Sequence, residues 1–335
     1  MYQRGFAGSV AMTTAAHQEV ACLSPTQRRL RARRAVEASV GTDVAHAEEV
    51  LGYSLAGGKG MRALIAHTCG DYCQLPLDVC DKIAAAIEMI HVACLVHDDV
   101  VDDAETRRHQ ASTNCQYGNP SAVLIGDFLY SRASQLLCDA GSLRLMAKLA
   151  DATNLLAQGE LIQLANAGTL QRTDVYLDMI WRKTAALFAV AAEAGATVVG
   201  DEQLAARLHV FGREAGLAFQ IGDDCIDYEG REDEIGKNPG GDFAEGKVTM
   251  PFLCALELAD ERQQRELHEL FKCREQSGSF AQARSILEEV GALEKARQKV
   301  SEHVALAVRQ LEQIPNREHV GQLHQIAEAM LARNR

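Results

Sequence analysis

The chain has 335 residues, 47% hydrophobic and 24% charged, enough for a sizeable core in one large helical domain or two ordinary ones. A formal net charge of -12 argues against a nucleic-acid backbone as partner, and no apolar run reaches the roughly 18 to 20 residues of a membrane span. Ten cysteines without C-x-x-C pairs or a secretory signal read as thiols of a reducing cytoplasm rather than a disulfide framework.

Residues 1–25 have few acids and no clear apolar signal core. They read as a disordered leader, the other readings being a transit peptide or a true start at Met12. The run RRLRARR, Arg28 to Arg34, is a solvated helical face, with weak peripheral contact to anionic lipid as the sharper alternative. From residue 26 on, the pattern is helical. Prolines number six, aromatics are 5%, and apolar residues recur every three to four positions, as at Ile83, Ile87, Ile90 and Cys94. Glycine-rich breaks near 57–60, 118–119, 195–200, 230–241 and 246 separate the helices. No linker or repeat divides the chain, so residues 26–335 are expected to form a single all-α bundle.

The first break, AGGKGMR, carries Lys59 and Arg62 and is not a Walker loop, since G-K-[ST] is absent. The next helix, IAAAIEMIHVACLV, ends in HDDVVDDAETRR. Asp98 and Asp102 stand one turn apart on one face, and Asp99 and Asp103 form a second pair about 100° round. Like charges four apart repel by a few tenths of a kcal/mol per pair, and a hard divalent cation would offset that. The spacing returns in FQIGDDCIDYEG as Asp223, Asp224 and Asp227, again after an apolar stretch. One D-D-x-x-D is a weak signal, but two copies crowning apolar helices are a strong one. Mg²⁺ prefers one or two carboxylates plus phosphate oxygens, so the pair points to a diphosphate substrate. Arg107, Arg108, Lys183, Lys237 and Lys247 supply cations suited to grip it.

The order of these motifs resembles the trans-isoprenyl diphosphate synthases, and among them the bacterial octaprenyl enzymes. The likeness runs from about residue 30 onward through GGK-x-x-R, IEMIHVACLVHDDVVD, RR, YGNPSAVLIGDFLYSRA, QGELIQL, KTAALF, FQIGDDCIDY and GK-x-x-GGDFAEGKVTMP. It implies an all-α bundle around a central cavity, a homodimer, and two to three Mg²⁺ ions per site held by Asp98, Asp102, Asp223 and Asp227. Arg107, Lys183 and Lys237 would clamp the allylic diphosphate, with Thr184, Gln220 and Lys247 nearby. Lys59, Arg62, His91 and Arg108 would bind isopentenyl diphosphate. The implied activity is addition of isopentenyl units to an allylic primer such as farnesyl diphosphate, giving an octaprenyl chain for a quinone. Shorter or longer chains remain open. A terpene cyclase is disfavoured by the aspartate-rich second cluster and its lysines, and a non-catalytic subunit by the survival of both clusters. The calcium-binding or scaffold reading leaves the lysines without a role. Gly60, Ala63 and His109 depart from the usual arginine, proline and glycine of the family. Small Ala93 and Cys94 below Asp98 leave room for a long tail, with Leu137 among the candidates for its floor.

Overall fold

The computed structural model describes residues 22–107, 110–230, 239–315 and 317–332. The described chain is a helical bundle: α1 (Pro25–Ser39), α2 (Ala45–Ser54), α3 (Met61–Tyr72), α4 (Leu77–Val101), α5 (Thr113–Tyr117), α6 (Asn119–Asp139), α7 (Leu143–Asn166), α8 (Thr173–Ile180), a π-helical turn (Trp181–Ala185), α9 (Ala186–Val199) and α10 (Glu202–Glu229). A second run of helices follows: α11 (Gly241–Ala244), α12 (Met250–Leu258), α13 (Glu261–Lys272), α14 (Ser279–Glu289), α15 (Ala292–Leu311) and α16 (Glu318–Ala332). The strands among the described residues, Thr106–Arg107 and Gln110–Ala111, form one short antiparallel hairpin after α4. One continuous apolar cluster runs from Ala32 to Met330.

α1 begins where its sequence says a helix should. The Ser24 hydroxyl accepts from the Gln27 N–H at 3.3 Å, and the Gln27 side chain accepts from the Ser24 N–H at 2.8 Å. Its basic run is largely answered by the protein's own acids. Arg28 is fully buried and pairs with Asp71 at 2.7 Å, Arg31 with Asp81 at 2.6 Å, and Arg33 with Glu37 at 2.9 Å. Arg29 and Arg34 remain exposed, so the lipid reading has fewer cations to draw on than the sequence suggests. Arg28 also donates to Gln322 at 3.0 Å and to the Cys22 sulfur at 3.2 Å, tying α1 to α3 and α16. Cys22, Asp71 and His319 bring sulfur, oxygen and nitrogen donors together. The guanidinium, bonded to two of them, is already the cation at that point.

α4 has 25 residues and is about 38 Å long; Ile83, Ile87 and Ile90 all fall on buried positions. It packs against α6 and α3, while α9 lies among α10, α3 and α7. α9 is buried on every side from Ala186 to Thr197, the mark of a central helix. Here the structure corrects one expected break: Gly195 lies inside α9. A Cβ there would stand 2.7 Å from the Cys69 carbonyl, so this glycine serves close helix contact. The break comes at Gly200, which ends α9 in the left-handed conformation (φ 77°).

Candidate active site

The upper ends of α4 and α10 carry the two acidic clusters. Asp98 lies within α4, and Asp102 caps it, its N–H donating to the Asp98 carbonyl at 2.8 Å. The two carboxylates therefore sit one turn apart as expected. The second pair does not form. Asp103 has left the helix with φ 49°, and Asp99 points inward, buried, where it accepts from Arg107 Nε at 2.7 Å and also from Nη2. Asp99 thus holds Arg107 rather than facing the substrate side.

On α10 the cluster is likewise divided. Asp224 is buried and accepts from the Tyr176 hydroxyl at 2.5 Å and from Gln220 Nε2 at 2.9 Å. The Thr184 hydroxyl donates to Gln220 Oε1 at 2.7 Å, so Thr184 and Gln220 form a relay ending on Asp224. Asp227 accepts from the Asp242 N–H at 3.3 Å. Asp242, on α11, is a site residue that sequence reasoning passed over, although it lies in the GGDFAEGK motif. Burial, reinforced by the Asp242 charge, pushes both Asp224 and Asp227 well above the usual carboxylate range. Burial also pushes Asp98 up to about 6 against the pull of Lys183, with Glu160 and Asp102 adding to the rise.

Two lysines stand against the first cluster. Lys183 Nζ pairs with Glu160, donates to Gln163 Oε1 at 3.2 Å and stands 4.0 Å from Asp98. It sits in the π turn, a feature without a sequence signal that recurs at functional sites. Gly159 lets α7 close on that turn, since a Cβ there would lie 2.5 Å from the Lys183 nitrogen. Glu160 and Gln163, both in QGELIQL, are further site residues not singled out from sequence. Lys247 Nζ lies 3.4 Å from Asp102 and 2.5 Å from Glu245. Burial opposes its charge, but Asp242, Glu245 and Asp102 outweigh it and hold the ammonium well above its usual range. A cleft of about 140 Å³ opens among Lys183, Thr184, Gln220, Asp224, Asp242 and Lys247.

Beside it, Arg62 is buried, its Nη1 3.1 Å from His91 Nε2 and its guanidinium 4.3 Å from the centre of the Phe188 ring. Burial lowers its pKa to about 10, with Glu88 and Asp223 partly offsetting the effect. Lys59 is exposed on the loop before α3. Gly60 begins α3 with φ 55°, a left-handed conformation that suits glycine better than the family's arginine. Ala63, where the family has proline, is buried in the first turn of α3. Arg108, His109 and Lys237 lie outside the described residues. Of the residues linked to tail length, Ala93 and Leu137 are fully buried, and Cys94 stands 3.6 Å from the Tyr130 hydroxyl.

The donors suit Mg²⁺. Asp98, Asp102, Asp223 and Asp227 offer hard carboxylate oxygens. The upward shifts of Asp98 and Asp227 are what burial and acid crowding produce, and a divalent cation would reverse them.

The architecture and site define an all-α bundle of the isoprenoid synthase type, with charged groups arranged for a diphosphate. Residues 44–290 match the sequence profile of the polyprenyl synthetase family. The chain is 37% identical over 282 residues to the octaprenyl diphosphate synthase of Haemophilus influenzae, covering 83% of this chain and 85% of that one. It is also 37% identical over 265 residues to a geranyl-diphosphate-specific all-trans-nonaprenyl-diphosphate synthase of Rhodobacter capsulatus, covering 78% and 80%. A decaprenyl diphosphate synthase structure from Rhodobacter capsulatus superposes with a TM-score of 0.86 at 34% identity, covering 93% of this chain and 98% of the other. A Caulobacter crescentus polyprenyl synthase complexed with calcium and isoprenyl diphosphate gives 0.84 at 35%, covering 91% and 94%. The chain belongs to the polyprenyl synthetase family and is a trans-polyprenyl diphosphate synthase, a prenyltransferase.

Proposed function

We propose that this chain is a long-chain synthase making octaprenyl diphosphate for a quinone side chain, by adding isopentenyl diphosphate to an allylic primer such as farnesyl diphosphate. The observation that carries the diphosphate chemistry is the pair of lysines set against the first acidic cluster. Lys183 stands between Asp98 and the Glu160–Gln163 pair, and Lys247 lies at Asp102 under the field of Asp242. The octaprenyl relatives from Haemophilus influenzae and Escherichia coli support the chain length.

Lys183, Arg107 and Lys247 neutralise charge that grows on the departing diphosphate as the allylic C–O bond ionises. Asp98, Asp102, Asp223 and Asp227 would hold Mg²⁺, which when bound would supply further neutralisation of that leaving group. The Caulobacter relative, complexed with calcium and isoprenyl diphosphate, supports a divalent cation in this role. Arg62 and His91 take the isopentenyl diphosphate, with Lys59 and Arg108 in support, and Lys237 joins the allylic clamp. The apolar interior keeps water from the cation until the isopentenyl double bond attacks. The departing diphosphate then accepts the proton.

We infer a single domain that already includes residues 22–25 rather than beginning at residue 26, since Ser24 caps α1, Pro25 opens it and the Cys22 sulfur accepts from Arg28. The continuity of the apolar cluster from Ala32 to Met330 supports one domain. We take the working form to be a homodimer, supported by Leu124 and Val123, which stand 67% and 41% exposed on α6 as an apolar surface for a second copy to cover. The described residues contain no helix long and apolar enough to cross a membrane. The placement we propose, the cytoplasm, rests instead on the ten cysteines, all of them free thiols.

The test is incubation with farnesyl diphosphate, labelled isopentenyl diphosphate and Mg²⁺, followed by chain-length analysis. Octaprenyl diphosphate as main product is the expected result. A different length overturns the octaprenyl assignment, and a cyclised hydrocarbon without condensation overturns elongation itself.

A further inference from the structure

α1 carries five arginines, and three of them are taken up by acids: Arg28 by Asp71, Arg31 by Asp81 and Arg33 by Glu37. Arg29 is different. Its polar contact among the described residues runs from Nη2 to the Met61 sulfur at 3.5 Å. A thioether is a weak acceptor and carries no charge, so this guanidinium is not neutralised there.

The Met61 contact fixes where Arg29 goes. Met61 opens α3 directly after Gly60, and a Cβ at Gly60 would stand 3.9 Å from Arg29 Cγ. The arginine stem therefore lies across the end of the Gly57–Gly60 loop, at a position where the loop has no side chain of its own. Arg29 and Lys59 line one cavity of about 560 Å³ between α1, α2 and that loop. Glu37, Glu48 and Glu88 line it too. Glu37 is paired with Arg33 at 2.9 Å, and the Glu88 charge supports the Arg62 guanidinium against burial. Glu48 stands near the start of α2, by the turn that joins it to α1. Arg29 stands near the start of α1 and Lys59 beyond the end of α2, both away from that turn.

We propose that Arg29 is a further substrate-binding residue, acting with Lys59 on the diphosphate of isopentenyl diphosphate. The inference rests on the prenyl-elongation reading above, in which Arg62 and His91 take that substrate with Lys59 in support. Between Lys59 and Met61 the chain offers only Gly60, and α1 sets a cation over that glycine from outside the loop. Arginine grips phosphate oxygens bidentately, while lysine supplies a mobile point charge, so the two divide the work. Both are exposed, so their pull on the incoming anion is open to screening by salt.

The experiment measures KM for isopentenyl diphosphate and for farnesyl diphosphate, each varied at saturation of the other, in the full-length enzyme with Mg²⁺. The variants are Arg29→Ala, Arg29→Lys, Arg34→Ala and Lys59→Ala, with folding checked by melting temperature. Arg29→Ala is expected to raise the KM for isopentenyl diphosphate about five- to tenfold, leaving kcat and the KM for farnesyl diphosphate within about twofold. Arg29→Lys keeps the charge and should recover most of that loss. Arg34→Ala removes a likewise exposed cation from the same helix and should change neither KM, which separates a local contact from the general field of α1. Raising NaCl from about 50 to about 300 mM should raise the KM for isopentenyl diphosphate more in the wild type than in Arg29→Ala. An Arg29→Ala enzyme with the wild-type KM for isopentenyl diphosphate overturns the proposal. So does a rise matched by Arg34→Ala, or a parallel loss on both substrates with a lowered melting temperature. An unchanged KM in Lys59→Ala overturns instead the assignment of this loop to isopentenyl diphosphate, and absence of any condensation by the wild type overturns the elongation reading, so the failures are distinguishable.

Discussion

Arg107 donates from Nε to the Asp99 carboxylate at 2.7 Å, and that carboxylate is buried although it lies between two aspartates assigned to metal. The middle aspartate of the first cluster is thus a positioning residue. It fixes a guanidinium on the hairpin that follows α4. Asp99→Asn removes the charge and keeps the shape. We expect kcat/KM for the allylic substrate to fall about 10- to 100-fold, with the KM for isopentenyl diphosphate little changed. Steady-state kinetics with each substrate varied in turn is the check. An unchanged kcat/KM would mean that Arg107 needs no such anchor.

Asp98→Ala and Asp223→Ala should each lower turnover at least about a hundredfold, since each removes stabilisation expressed in ionisation. Chelation should abolish activity and Mg²⁺ restore it. Binding is also visible without turnover. Mg²⁺ at about 100 times its Kd should add about 2.7 kcal/mol of stability, read as a rise in Tm that is smaller in both variants. Equal rises in all three proteins would place the ion elsewhere.

Arg62 and His91 are in contact on one side of the cleft, while Lys183 joins Asp98, Glu160 and Gln163 on another. Arg62→Ala should therefore mainly raise the KM for isopentenyl diphosphate, by about tenfold or more. Lys183→Ala should mainly impair use of the allylic substrate. Lys59→Ala should resemble Arg62→Ala with a smaller effect, because Lys59 is exposed and its charge is screened. Parallel losses on both substrates in every variant would merge the two sites into one.

Stability at low pH should depend on Asp71. Burial alone would raise its carboxyl, but hydrogen bonds from His319 and Arg28 outweigh burial and hold it down at about 2. A folded pKa below the unfolded value stabilises the protein above the unfolded value, near 3.8, and the contribution is lost as pH falls towards about 2. Asp71→Asn should lower Tm at neutral pH by at least about 2 °C, because it leaves the buried Arg28 without its anion. Thermal melts from pH 6 to pH 2 should show the two proteins converging at the acid end. A constant Tm gap across that range would locate the effect elsewhere.

Periodicity and charge spacing, which are local, made the helical class legible from sequence, along with the two aspartate clusters and most of the cations. In the fold Lys183 stands 4.0 Å from Asp98 and Lys247 3.4 Å from Asp102. Three-dimensional packing decided which members of each cluster face the substrate. Asp99 and Asp224 carry the same charge as their neighbours, yet helix rotation turns them towards Arg107 and towards Tyr176 and Gln220. Asp242 lies 15 residues beyond Asp227 in the chain, and only the fold of α11 against α10 brings its field onto that carboxylate. Tyr130 is the clearest case. Its distance of 36 residues from Cys94 carries no periodic signal, and the antiparallel packing of α6 on α4 sets its ring beside a cysteine that the sequence alone leaves uncovered.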